Sequence, residues 1–366
     1  MPNDAERSVC GPMQALLTVP QHPHSTHVAD VPVPRAGAGD VLVRPLEVGV
    51  CGTDREISAG LFGVAPDGEE ALVLGHELVG VVERGGHGFA RGDLVAATVR
   101  RSCGRCAACA AGAPDACATG EYAERGITRL HGFASELVAE APEHLVAVPP
   151  ALGRLGVLAE PASVAERGLR HVRAIGGRQP WGPRRALVLG TGAIGMLATY
   201  LLRMDGLEVW TAGRSAGGEK ARLVAACGAR PVATSETPLA TLAEDLGGFD
   251  VVLEAAGDAQ LMLDALALLR RNGVACLLGI DGRPRDVRVD GRVLGVDAIL
   301  GNRVLFGSVN ANRVDWTAAV EHLAEARERW PEALEAFVGL RVPLHGFTDA
   351  FGFGGVKATL RLEDGG

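Results

Sequence analysis

The sequence predicts an α/β fold in two domains, a β-rich first domain and a doubly wound parallel-sheet second one. Three observations predict it. From residue 13 to residue 91 the chain reads as short strands, alternating and β-branched, cut by Gly and Pro. From residue 185 the pattern changes to strand, turn and helix in regular alternation. The chain has 366 residues, more than one compact core usually holds and enough for two.

Taken in order, residues 1–12 carry Asp4, Glu6 and Arg7 and lack an apolar core, so a disordered extension is expected there and not a signal peptide. Segments 13–19 and 41–50 have the alternation of strands, 28–34 and 37–40 are punctuated by Pro and Gly, and 79–83 is a further strand between turns. A cysteine-rich lobe spans 101–117. Segment 155–175 reads as a helix, with Glu160-Pro161 near its start and Val164, Leu169 and Val172 on a buried face. A buried strand at 186–189 meets a glycine turn, then a helix at 196–204. The series continues through 208–212, 219–227, 250–254, 265–269 and 274–278 and ends near 304–309. A helix at 316–328 and a last strand at 358–362 form a tail expected to return to the first domain. The expected boundaries are a catalytic domain at 13–170, a dinucleotide-binding domain at 171–306 and a return to the first domain at 307–366.

Composition excludes several classes. The net charge of −8 and the lack of basic clusters beyond pairs such as Arg100-Arg101 argue against nucleic acid or anionic membranes as partners. No apolar run reaches the length of a membrane span, and a cytoplasmic protein is expected. Four of the eight cysteines crowd into fifteen residues, which in a reducing compartment points to metal and not to disulfides.

The chemistry starts at Val50-Cys51-Gly52-Thr53-Asp54 and Leu74-Gly75-His76-Glu77. A thiolate and an imidazole together suit Zn²⁺. Glu77, beside the histidine, could be a ligand, a supporting partner or a proton carrier. The lobe spacing, Cys103-x2-Cys106-x2-Cys109-x7-Cys117, can close a tetrahedral structural zinc shell. The glycines, alanines and prolines around it offer almost no core, so the lobe needs the metal to hold a shape.

Gly190-Thr191-Gly192-Ala193-Ile194-Gly195 follows a buried strand and opens a helix, the context a dinucleotide turn requires. Gly190 permits the tight turn, Gly192 lets the backbone approach a pyrophosphate and Gly195 allows close helix–strand packing. At the end of the next strand the acid that would hold the ribose of NAD is missing. Gly213, Arg214 and Ser215 stand there, and Arg214 and Ser215 can hold a 2′-phosphate, so NADP is expected in preference to NAD.

The set Cys51-Gly52-Thr53-Asp54, Gly75-His76-Glu77, the four-cysteine lobe, Glu160-Pro161 and Gly190–Gly195 resembles the zinc-dependent medium-chain alcohol and polyol dehydrogenases. Cys51–Ile57, Arg100-Arg101-x-Cys103 and Thr119-Gly120-Glu121 are similar, more narrowly, to the archaeal-type glucose dehydrogenases. The resemblance implies a GroES-like catalytic domain with a Rossmann domain, and two zinc ions per chain. The catalytic ion would be held by Cys51 and His76, with Glu77 in or beside the shell and Glu160 a further candidate. It implies that Thr53 relays a proton, that Glu124, Asn310 and Glu160 touch substrate, and that Leu278, Asn310 and Lys357 join the cofactor contacts. Dimers and tetramers are usual in the family.

One departure stands out. Val99 occupies the position where such glucose dehydrogenases place a sugar-binding Asn. The expected function is hydride transfer between NADP and a sugar or polyol hydroxyl. The alternative is an aminocyclitol, amino sugar or other secondary alcohol as substrate. A non-catalytic NADP(H)-binding module would be expected to have lost Cys51, His76 or Thr53, and all are present.

Overall fold

The computed structural model describes residues 11–37, 39–215 and 217–362, and every element and count given is of those residues. The extension expected over residues 1–12 falls, up to residue 10, outside them. The chain divides into two units, one of residues 1–160, 340–353 and 358–366, the other of residues 161–339 and 354–357.

In the first unit, β1 (Pro12–Thr18) lies between β2 (His27–Pro32) and β4 (Leu72–Val73) in a three-stranded sheet. The larger sheet is built on β3 (Val41–Val50), which pairs antiparallel with β5 (Glu77–Arg84) along one edge. Pro45 lacks an N–H for this ladder, and the register slips by a bulge between Pro45 and Glu47. Helix α1 (Gly52–Ser58) starts directly where β3 ends. Strands β6 (Leu94–Ala97), β10 (Val138–Glu140) and β11 (Leu145–Ala147) extend the sheet. The last strand, β19 (Lys357–Arg361), lies along the other edge of β3, with Ala358 opposite Val50, and β18 (Val338–Pro343) lies outside it. Glu47, at 0% exposure, ties this return down, because its carboxylate takes the Thr359 hydroxyl at 2.9 Å and the Arg341 guanidinium at 3.2 Å.

A small sheet of β7 (Arg100–Arg101), β8 (Ala123–Arg125) and β9 (Arg129–Leu130) flanks the cysteine lobe. The lobe's one α-turn is α2 (Ala107–Ala110), and within residues 102–120 only Asp115 is buried. No apolar core supports the lobe.

Helix α3 (Ala159–Gly176) follows a 3-10 stretch at Pro150–Leu158 that contains a non-helical Gly153. The helix thus begins four residues later than the periodicity predicts.

The second unit is a six-stranded parallel sheet in the order β14–β13–β12–β15–β16–β17. The strands are β12 (Arg185–Leu189), β13 (Glu208–Gly213), β14 (Arg230–Ala233), β15 (Phe249–Glu254), β16 (Leu269–Leu277) and β17 (Val304–Gly307). Helices α4 (Ala193–Met204), α5 (Gly218–Ala226), α6 (Leu239–Leu246) and α7 (Ala259–Leu268) connect them. β15 is buried at all six positions, as a parallel strand covered on both faces must be. Trp210 and Phe249 pack edge to face, with ring centres 5.6 Å apart, in the core with Leu187, Leu189 and Val252. Each such side chain contributes about 1.5–3 kcal/mol by leaving water.

Helices α8 (Arg313–Arg329), α9 (Pro331–Ala336) and α10 (Phe347–Gly352) fall in the C-terminal part. α8 opens with a capping box in which Asn312 and Asp315 exchange bonds, and Asp315 also takes both arms of Arg170 from α3, at 2.7 and 3.0 Å. None of the described helices is long and apolar enough to cross a membrane.

Candidate metal centre and cofactor turn

Cys51 is the N-cap of α1. Its sulfur accepts the Thr53 N–H at 3.2 Å, while Asp54, at the third helical position, accepts the Cys51 N–H at 2.9 Å. This is a capping box in which a thiol takes the place of the usual hydroxyl. It fixes the sulfur at the junction of β3 and α1. His76 arrives on the neighbouring strand entry, after Gly75, whose φ of +87° only glycine adopts readily.

The backbone of Gly75 is held from behind by a loop. Gly132 N–H donates to Val73 O, Phe133 N–H to Gly75 O and Ala134 N–H to Leu74 O, each at 2.8–3.0 Å. A Cβ on Gly132 would lie 2.2 Å from Leu74 O, and one on Gly126 would lie 2.4 Å from Gly75 O, so two glycines permit this backbone-to-backbone contact.

The result is convergence. One donor atom each from Cys51, His76 and Glu77 lies within 4.8 Å of the others, and His76 and Glu77 are buried. Cys51 Sγ stands 3.2 Å from His76 Nε2. A tetrahedral zinc with ordinary bond lengths would separate sulfur and nitrogen by roughly 3.5 Å. The donor types and their spacing therefore fit a zinc ion.

The other imidazole nitrogen, Nδ1, faces Asp54 Oδ1 at 3.5 Å. Neither atom has a hydrogen-bond partner among the described residues. Burial opposes a charge on His76, but the thiol of Cys51 and the carboxylate of Asp54 together outweigh it and hold its pKa well above the ordinary value. Burial pushes the Cys51 thiol up, against the pull of His76. Burial also works against a charge on Asp54, but His76 and the Cys51 N–H more than offset it and draw its carboxyl down. Asp54 is the residue that the sequence reading passed over. It holds the thiol's own N–H and faces the histidine, as the supporting acid of a metal-binding histidine does. Its third helical position after Cys51, in a Cys-x-x-Asp capping pattern, was the available signal.

Glu160 lies half-buried in the first turn of α3 and is not among the donors gathered within 4.8 Å. Position on a helix can be read from sequence, whereas reach depends on where the 3-10 stretch delivers that helix.

In the lobe, Cys103, Cys106, Cys109 and Cys117 offer four sulfurs within 4.8 Å of one another, and all four thiols are free. Cys106 and Cys109 are 3.5 Å apart and Cys103 and Cys109 3.9 Å apart. Four thiolates on zinc stand about 3.8 Å apart, whereas a disulfide needs about 2.05 Å. The set fits a closed tetrahedral site. The Thr119 hydroxyl draws the Cys117 thiol down to about 6, which favours the thiolate that a metal takes. Burial pushes Cys109 up to about 12. Arg105, inside the lobe, forms an ion pair with Glu121 just beyond it.

Val99 is 5% exposed, a core residue whose carbonyl accepts the Arg125 N–H at 3.0 Å. Glu124 is paired with Arg100 at 2.9 Å, and that guanidinium lies 4.0 Å from the centre of the Tyr122 ring.

In the second unit the glycine turn is built as its spacing predicts. Gly190 has φ +115°, and a Cβ there would lie 2.8 Å from the backbone of Ala255. A Cβ on Gly195 would lie 2.2 Å from Gly190 O, so α4 packs directly on the turn. Gly192 is the N-cap of α4 and carries no side chain to satisfy the first-turn N–H groups. Nothing among the described residues comes within 4 Å of where its Cβ would be. Open space in front of free helix N–H groups suits a pyrophosphate.

Glu254, at the end of β15, holds the adjoining turn by accepting the N–H groups of Ala256 and Gly257 at 2.8 and 2.9 Å. Burial raises its pKa. Arg214 and Ser215 are exposed at the carboxyl end of β13. Leu278 is buried, with its N–H on Glu254 O at 2.7 Å. Asn310 adopts φ +66°, and its side-chain amide nitrogen is buried without a partner among the described residues. Lys357, at 2% exposure, is not a solvated surface lysine.

A GroES-like unit bearing a thiol–imidazole–carboxylate cluster and a four-thiol lobe, with a Rossmann unit, defines a zinc-dependent medium-chain dehydrogenase, an oxidoreductase. Family comparison narrows this. Residues 37–150 match the alcohol dehydrogenase GroES-like domain, and residues 153–362 match the glucose dehydrogenase C-terminus. The chain belongs to the glucose dehydrogenase family of these enzymes. Glucose 1-dehydrogenase of Methanocella arvoryzae is 44% identical over 91% of this chain and 94% of its own. The Thermoproteus tenax glucose 1-dehydrogenase is 38% identical over 93% and 96%. The glucose dehydrogenase of Haloferax mediterranei, solved in complex with NADP, Zn and gluconolactone, superposes with a TM-score of 0.88 at 32% identity, covering 96% of this chain and all of that one.

Proposed function

We propose that the protein oxidises the anomeric hydroxyl of an aldose to a lactone, with NADP⁺ as hydride acceptor, at a zinc ion held by Cys51, His76 and Glu77. The observation that carries this is the convergence of those three donors at the start of α1, on a chain 44% identical to a glucose 1-dehydrogenase. The Haloferax complex with NADP, Zn and gluconolactone supports the same substrate class.

The zinc would supply Lewis-acid stabilisation of negative charge on the substrate oxygen, and NADP⁺ would take the hydride from the anomeric carbon that bears that oxygen. The chain's own residues do the rest. Cys51 is fixed by the cap of α1, and His76 is oriented by Asp54. Thr53, partly exposed and two residues after the thiol, would pass the hydroxyl proton towards solvent. In the lobe, Cys103, Cys106, Cys109 and Cys117 would hold the second zinc and give that segment its shape. The Gly190–Gly195 turn would hold the pyrophosphate and Arg214 with Ser215 the 2′-phosphate. The orphan amide of Asn310 is a donor in want of a ligand.

A second reading concerns the sugar. Val99 is apolar and buried where a polar contact would recognise a hydroxyl, which favours a substrate lacking that group or bearing another in its place. One experiment covers both readings. Aldoses, deoxy and amino sugars and cyclitols are offered with NADP⁺ to the wild type and to Cys51→Ser. The expected result is turnover of at least one aldose by the wild type, with loss of more than 100-fold in Cys51→Ser and unchanged NADP⁺ binding. Undiminished turnover in Cys51→Ser would sink the metal centre as the site of chemistry.

A further inference from the structure

We propose that Gly49 is a positioning residue for Glu77. Its missing side chain leaves the space in which the Glu77 carboxylate lies beside Cys51 and His76. The proposal rests on the reading of Glu77 as part of the metal set.

Gly49 and Glu77 are directly opposed partners on the antiparallel strands β3 and β5. Opposed residues project to the same face of a sheet, so a side chain at Gly49 would grow toward that of Glu77. A Cβ there would lie 1.9 Å from Glu77 Oε2, 2.9 Å from Cδ and 3.0 Å from Cβ. The carboxylate therefore fills the volume that any other residue would occupy.

Backbone conformation does not explain the glycine, because Gly49 is not among the residues with positive φ. Glycine inside a strand weakens it, and here the close approach of a side chain accounts for it. The strand cannot readily yield. β3 is paired on both sides at this point, with Gly49 opposite Glu77 of β5 and opposite Thr359 of β19. Glu77 is 1% exposed, so its carboxylate has no nearby water to retreat into. A methyl group at position 49 would expel the carboxylate from its place and leave Cys51 and His76 where their cap and loop hold them.

The test uses zinc-loaded enzyme in four forms: wild type, Gly49→Ala, Glu77→Ala and the double variant. Zinc transfer to a chromogenic chelator is followed, and the phase belonging to this centre is identified as the one missing in Cys51→Ser. Loss of a group that supports a metal ligand costs roughly 10–100-fold in metal affinity. The expected result is that Gly49→Ala and Glu77→Ala each speed that phase by roughly 10-fold or more. The double variant is then no faster than Glu77→Ala alone.

If Glu77→Ala speeds release and Gly49→Ala does not, the positioning role is overturned while the reading of Glu77 stands. If Glu77→Ala leaves release unchanged, the reading of Glu77 fails first, and this proposal with it. An additive double variant would mean general loosening of β3 and would also overturn it. Where Gly49→Ala does not accumulate as folded protein, recovery in the double variant supports the contact, and continued failure contradicts it.

Discussion

At the scale of a single residue, the proposed preference for NADP⁺ rests on Arg214. It follows Gly213 at the carboxyl end of β13, where no acid is present to hold a ribose 2′-hydroxyl. A charge-assisted hydrogen bond is worth about 1.5–3 kcal/mol, which is roughly a 10- to 150-fold effect. Arg214→Ala is therefore expected to lower kcat/KM for NADP⁺ by that factor and leave the value for NAD⁺ nearly unchanged. An equal loss with both cofactors would show that the arginine acts on the fold and not on the phosphate. The residues legible in the sequence are those whose chemistry shows in their type and spacing, such as Cys51, His76 and the lobe cysteines. Asp54 is legible only as a capping residue of α1, and Gly49 carries no signal of function at all. Asp54 gains its role only when His76 turns Nδ1 toward it at 3.5 Å, and Gly49 only when β3 and β5 pair in one register.

At the scale of elements, α3 and α8 are clamped by Arg170 on Asp315 and by His322 on Glu166, the latter at 2.6 Å. The Glu166 hydrogen bond raises the His322 pKa, against the effect of burial. A raised histidine contributes stability that is complete below its unfolded value of about 6.5 and is lost as pH rises through the folded value. In denaturant titrations, His322→Gln should therefore be less stable than the wild type by more at pH 6 than at pH 9. A gap that is equal at both, or larger at pH 9, would contradict a charged clamp.

Strong periodicity made the central strands and α4 readable. The 3-10 stretch at Pro150–Leu158 and the π-helical turn at Val293–Ala298 were not, because neither has the period of 3.6 or 2 on which a sequence reading depends. The lobe has no periodicity at all. It was legible only as metal chemistry, through four thiols at short spacing.

At the scale of the molecule, the fold class and the family follow from the order of motifs along the chain, in which thiol, histidine, four-cysteine lobe and glycine turn succeed one another. The strand most distant in sequence lies beside the chemistry, because β19 pairs with the last residues of β3 before Cys51, and its closing contacts run through the buried Glu47. No local signal announces that pairing, which spans some three hundred residues of chain.

The substrate is the least legible part, because a sugar is recognised by several hydroxyl contacts and Val99 removes one expected partner. The most direct test of the account follows NADP⁺ reduction by glucose and its deoxy and amino relatives as zinc is stripped from the enzyme and then restored. The account predicts turnover of at least one of these sugars, with two zinc ions per chain, loss of activity when the first ion leaves Cys51 and recovery when zinc returns. Full activity in the stripped protein, or no turnover of any of these sugars by the fully loaded one, would contradict it.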